Sequence, residues 1–222
     1  MVDARVVRVF ISSPEDVRPE RGIAARVIQR LGREFSYHFK VEAVLWEREP
    51  LLASEHFQDR IVAPRETDIV VVLLWSKLGL PLPADKYPGP LSGRQVTGTE
   101  WEFEDALASS RARQRPDLLL YRKRADVVVK LGDRAALEEQ QRQAELVDDF
   151  MRRWFSSADG KSATAAFWNF TDGAGFEAML EDHLRALLRQ RLGGGAGGEA
   201  PATMRWHRGS PYRGLETFGP EH

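Results

Sequence analysis

The stretch Asp68-Ile69-Val70-Val71-Val72-Leu73-Leu74-Trp75 decides the fold. It is apolar without alternation, so neither of its faces suits water, and such a strand belongs at the centre of a parallel sheet covered by helices on both sides. Upstream, Arg5 to Ser12 is a short β-branched run that leads straight into Ser13-Pro14-Glu15-Asp16, which has the chemistry of a helix start. Ser13 is expected to cap, Pro14 to take the first helical position, and the acidic pair to complement the positive end of the dipole. Val17, Ile23, Val27, Ile28 and Leu31 then recur near helical spacing to about Phe35. Phe39 to Trp46 reads as a second strand, and Ser54 to Ala63 as a helix capped by Ser54. Successive strand-helix steps of this kind predict a doubly wound parallel sheet.

Downstream of Trp75, the segment Ser76 to Thr97 carries Pro81, Pro83, Pro88 and Pro90, so it reads as an irregular loop longer than most connections. A helix from Thr99 to about Arg113, a strand at Asp117 to Lys123, a charged helix from about Arg134 to Phe155, a strand at Thr164 to Phe170 and a helix from Gly175 to Arg191 complete the pattern. The expected architecture is an α/β sheet of about five parallel strands with helices on both faces. The run Gly193-Gly194-Gly195-Ala196-Gly197-Gly198 has no side chains to bury. It predicts a first domain over 1–192 and a flexible linker over 193–205. Residues 206–222 hold Trp206, Tyr212, Leu215 and Phe218, too apolar for a solvated tail, and read as the edge of another domain.

With 32 basic and 33 acidic residues among 222, the net charge of −1 gives no electrostatic reason for a nucleic-acid or membrane-surface partner. Cysteine is absent, which removes disulfides, thiolate metal sites and Cys nucleophiles and suits a reducing compartment, pointing to the cytoplasm. The N-terminus does not read as a signal peptide. No span approaches the ~18 apolar residues of a membrane helix. The five histidines lack paired spacing, so no metal is expected, and no Walker-type phosphate loop occurs.

In a doubly wound sheet, ligands bind past the carboxyl ends of the strands. That rule selects Ser12, Ser13 and Asp16 after the first strand, Trp75 after the third, and the helix start Thr99-Glu100-Trp101-Glu102-Phe103-Glu104. The hydroxyls of Ser12 and Ser13 and the free amides beside them suit a phosphate or ribose, and ordinary capping accounts for the same residues. A helix places Glu100 and Glu104 on one face, with Glu102 turned about 200° away. The helix dipole favours first-turn carboxylates, so at least two of the three are read as structural. A pocket carboxylate here would suit stabilisation of an oxocarbenium ion or general-base work at an N-glycosidic bond. Trp46, Trp75, Trp101 and Trp154 read as core or pocket walls. The stretch Glu138 to Gln143 reads as a solvated helix face.

Val9-Phe10-Ile11-Ser12-Ser13-Pro14-Glu15-Asp16-Val17 with Glu20-Arg21, the Asp68 to Leu74 strand, and Thr99-Glu100-Trp101-Glu102-Phe103-Glu104-Asp105-Ala106 together resemble a prokaryotic TIR-like domain family of uncharacterised function. The resemblance covers roughly residues 5 to 123 and implies the flavodoxin-like topology. It also implies cleavage of NAD at the nicotinamide–ribose bond through a Glu that has Ala four residues later. Nucleoside deoxyribosyltransferases use a similar Gly-Thr-x-x-Glu-x-x-x-Ala pattern. Carried over by position, both patterns select Glu102, with Thr99 three before it and Ala106 four after it. NAD enters as a substrate rather than a resident cofactor, and Ser12, Ser13, Asp16, Trp75 and Thr99, selected by the strand-end rule, are the expected nucleotide contacts.

The terminal run Gly209-Ser210-Pro211-Tyr212-Arg213-Gly214-Leu215-Glu216-Thr217-Phe218 resembles the opening of the NTPase domain of bacterial STAND proteins. That resemblance implies an N-terminal effector joined to a downstream NTPase domain, oligomerising on activation and plausible in antiphage defence. Three functions follow as expectations: NAD cleavage, a non-catalytic interaction module of the TIR–TIR type, and deoxyribosyl transfer.

Overall fold

The computed structural model describes residues 5–45, 62–129, 132–157 and 164–193. Its centre is the apolar run between Asp68 and Trp75. Ile69–Leu74 forms strand β3, and all six of its residues are buried. Alternation divides them between two layers: Ile69, Val71 and Leu73 join one core cluster, while Val70, Val72 and Leu74 join the other. At about 1.5–3 kcal/mol for each buried Val, Leu or Ile side chain, this strand ties both layers together.

Strand β1, Val6–Ser12, and strand β4, Asp117–Lys123, flank β3 in parallel. Strand β2, Lys40–Val44, lies outside β1, and β5, Trp168–Phe170, lies outside β4. The order is β2-β1-β3-β4-β5, all parallel, which is the flavodoxin-like doubly wound arrangement. In that order the chain reverses its direction of travel across the sheet between β1 and β3. The strand ends on either side of that reversal are where ligands of such folds sit.

Helix α1, Arg18–Glu34, and helix α4, Gly173–Gly193, cover one face. Ala24, Val27, Ile28 and Leu31 of α1 meet the sheet with Phe176, Leu180, Leu184 and Leu188 of α4, each set at helical spacing. Arg30 of α1 clamps Glu177 and Glu181 of α4 across the seam. Helix α2, Gly98–Arg113, and helix α3, Arg134–Phe155, cover the other face. Phe103 of α2 anchors that layer against Phe150, Trp154 and Phe155, with ring centroids 4.9–5.8 Å apart.

Several boundaries differ from the sequence expectation. Ser13 does not cap a helix: Pro14 is extended, a short 3₁₀ turn over Glu15–Val17 follows, and the α-helix begins at Arg18 with Pro19 in its first turn. Pro14 rather than Ser13 takes the position before that turn, and no side chain caps it. The last strand is shorter than expected, because β5 pairs only with the final three residues of β4. The last helix begins earlier, at Gly173, because Asp172 accepts a hydrogen bond from the Gly175 amide at 2.9 Å. It also runs through Gly193, where the linker was expected to begin. The expected helix at Ser54 to Ala63 falls almost wholly outside the described residues, as do Trp46, the remainder of the linker and the segment 206–222. Among the described residues no helix is long and apolar enough to cross a membrane.

Candidate functional site

The first turn of α2 is built by its cap. Thr97 accepts from the Glu100 amide at 3.3 Å and sets the helix start, which fans the three glutamates out as helical geometry requires. Glu100 and Glu104 turn to the long loop, and Glu102 turns to the strand ends. Their chemistry then diverges.

Glu104 has no exposure and accepts from the backbone amides of Leu91 and Ser92 at 2.8 and 2.9 Å. It pins the proline-rich loop to the helix. Gly89 is part of the same fastening: a Cβ there would lie 2.7 Å from the Glu104 Oε2 atom and 2.3 Å from the Ser92 hydroxyl, so a side chain would have to displace both. Glu100 bridges Arg94 of the loop and Arg153 of α3, the latter at 2.9 Å. Burial pushes the Glu100 carboxyl above the usual carboxylate range, against the opposing pull of Arg94. The loop is also stitched to α3 by Gln143, whose side-chain oxygen accepts from the amides of Leu78 and Gly79 at 2.9 and 3.2 Å.

Glu102 faces the switch point. Its Oε2 accepts from the Ser12 hydroxyl at 2.6 Å, joining the end of β1 to α2 across a separation of 90 residues. Both side chains are buried, Glu102 at 5 % exposure. Beside them, Asp16 accepts from both the amide and the hydroxyl of Ser76, at 2.9 and 3.0 Å, which ties the β1–α1 connection to the end of β3. Ser13 is buried, and its hydroxyl has no hydrogen-bond partner among the described residues. Thr99 is buried in the first turn of α2. The structure therefore joins Ser12 to Glu102 directly, sets Asp16 on the Ser76 side of the same edge, and leaves Ser13 without its expected capping role.

Trp75 occupies a different part of the edge. Its indole N–H donates to the Ala125 carbonyl at 2.9 Å, and the Lys123 ammonium lies 4.2 Å from the centre of its ring. Lys123 also donates to Glu20 of α1 at 2.7 Å. Trp75 and Ser76 wall a cavity of about 470 Å³ that opens between the ends of β3 and β4 and the middle of α3. Ser12, Thr99 and Glu102 do not line it.

Sequence reasoning missed the residues of this second region. Arg122, Lys123 and Arg124 stand at the carboxyl end of a strand, so the rule that selected Ser12 and Trp75 could have found them. Gln143 was hidden inside a charged stretch, yet it is only 2 % exposed because the loop returns over it. Among the described residues no group of three His, Asp or Glu side chains is placed to hold a metal ion. No protein-family model matches the chain, and no curated protein matches it.

Proposed function

We propose that this chain is a TIR-like effector module of a cytoplasmic STAND-type NTPase, and that it acts on a nucleotide at the carboxyl edge of its sheet. NAD is the proposed substrate. The observation that carries the reading is the Ser12–Glu102 hydrogen bond, which sets a carboxylate beside the point where the sheet order reverses. In the proposed reaction the bond between ribose C1′ and the nicotinamide nitrogen breaks and its electron pair stays on the nitrogen, so the base leaves neutral without an acid. Glu102 stabilises the positive charge that develops on the ribose, then takes the proton from the water that adds at C1′.

The low exposure of Glu102 supports a second reading, a non-catalytic module that acts through its helix surfaces. The two part on one experiment. Full-length protein, oligomerised through its proposed NTPase domain, is incubated with NAD, and nicotinamide release is followed for wild type and Glu102→Ala. Catalysis predicts release from wild type and a loss of about 100-fold or more in the variant. Equal rates, or no release from either, overturn NAD cleavage, and a further lack of deoxynucleoside turnover leaves the interaction module as the function.

A further inference from the structure

The cavity beside β4 is chemically unlike the Ser12–Glu102 pair, and its cations follow from strand alternation. Leu118 and Leu120 of β4 point to the α2/α3 layer, while Leu119 and Tyr121 point to the α1/α4 layer. Arg122 therefore emerges on the α3 side, where it meets Asp148 at 2.8 Å, and Lys123 emerges on the α1 side, where it meets Glu20. Arg124, just past the strand, shares the side of Arg122 and donates from Nε to Asn169 of β5 at 3.0 Å. Two guanidinium groups thus line one cavity, whose floor is the buried Val147.

Three cations, Arg122, Lys123 and Arg124, and two carboxylates, Asp126 and Asp148, line the cavity, so its charge balance is uneven. Arg122 has a carboxylate partner, but that partner, Asp148, is 61 % exposed, so the pair is open to exchange. Arg124 has no carboxylate in ion-pair contact among the described residues. Burial, and after it the like charge of Arg122, pull the Arg124 guanidinium below its usual range, against the opposing pull of Asp148. Two guanidinium groups that line one cavity beside an apolar floor, with the Arg124 side chain exposed, suit an anion with several acceptor oxygens, and the planar fork of Arg suits a phosphoryl group. Gln140 and Gln141 supply neutral amides to the same wall, and the volume lies within the range of small-ligand pockets.

We infer that the cavity between the end of β4 and the middle of α3 is a binding site for a phosphorylated small molecule, held by Arg122 and Arg124. The site stands apart from Glu102 and holds whether or not that carboxylate does chemistry. Ala144 lies exposed on the α3 wall, so a larger side chain there occupies the cavity without entering the core.

Calorimetric titration of the full chain with pyrophosphate and with ADP-ribose tests the site. Wild type binds at least one probe, and Arg124→Gln weakens that binding by about tenfold or more, the loss expected of a charge-assisted fork. Arg124→Lys restores part of it, which keeps the test decisive if the Gln variant folds poorly. Ala144→Phe excludes ADP-ribose while the far-UV spectrum stays unchanged. Tighter binding of ADP-ribose assigns the phosphoryl group to a nucleotide, and tighter binding of pyrophosphate assigns it to a compound without a nucleoside. Arg134→Gln removes the same charge from a side chain that is 92 % exposed and does not line the cavity. Binding of neither probe overturns the site, as does equal affinity in Arg124→Gln or an equal loss in Arg134→Gln. None of these outcomes depends on nicotinamide release.

Discussion

The carboxyl edge of the sheet has two halves that treat polar side chains in opposite ways. Around β1 and β3 they are turned inward, and most are bonded to one another: Ser12 to Glu102 and Asp16 to Ser76, with the buried Ser13 hydroxyl left over. Around β4 they line open space, and among the described residues Arg122 pairs with an exposed aspartate and Arg124 with a neutral amide. The difference teaches that residue type and ligand space separate along one edge. Glu102 lies where the chain is closed, and the open volume lies where cations outnumber carboxylates. Buried polar pairs hold a single arrangement because a broken partner leaves an unsatisfied group, whereas exposed ion pairs rearrange at little cost.

The largest effect is expected at the fastening that keeps the first half closed. Glu104→Ala strands the amides of Leu91 and Ser92 and empties a fully buried position, which should cost about 2–4 kcal/mol in urea unfolding. Glu104→Gln keeps an acceptor for both amides and should recover at least about half of that loss. Proteolysis should then distinguish the two variants within the loop of residues 76–97. A loss in Glu104→Ala below about 0.5 kcal/mol, the level of an ordinary surface change, would remove the closed character argued for this half.

The next effect compares the two halves directly by double-mutant cycles. Ser12→Ala with Glu102→Ala should show a coupling of about 1–2 kcal/mol, because a buried hydrogen bond to a carboxylate is being broken. Arg122→Gln with Asp148→Asn should show less than about 0.5 kcal/mol. Equal couplings would merge the halves into one electrostatic environment. A reversed order would make the β4 cavity the more rigid of the two.

The β1–β3 side of this contrast was legible before the fold was known, and the β4 side was not. The unbroken apolar run of β3 announced a strand buried on both faces, and the structure divides its residues between two cores. Glu102 separated from Glu100 and Glu104 by helical angle alone, and the three side chains do diverge in that way. Strand order was not legible, since nothing local encodes which strands become neighbours. The start of α1 was misread because Ser13-Pro14 carries the residues of a cap while Pro14 takes an extended conformation, and Pro19 marks the true first turn. Gln143 was assigned to a solvated face because its neighbours in sequence are charged. Its burial comes from a loop more than 60 residues away, a contact that no periodicity records.

The smallest effect is a pH dependence placed under the open half. His183 of α4 packs on Tyr121 of β4 and Trp168 of β5, with its Nδ1 atom 2.8 Å from the Tyr121 hydroxyl. Burial lowers the affinity of His183 for a proton relative to an ordinary histidine. In the window below about pH 6.5 the unfolded chain therefore binds more protons than the folded one, and stability must fall as pH decreases through it. His183→Gln leaves an acceptor for Tyr121 and should flatten the dependence of the urea midpoint in that window. Glu100, whose carboxyl is pushed up by burial, contributes a slope of opposite sign, because its protonated form is favoured in the folded state. That slope is common to wild type and variant and cancels in their difference. Because His183 lies beneath β4 and β5, acidification should reduce amide protection in those strands before it does so in β1 and β3. Simultaneous loss across all five strands would mean that the sheet opens as one unit and that the two halves differ only at their surface.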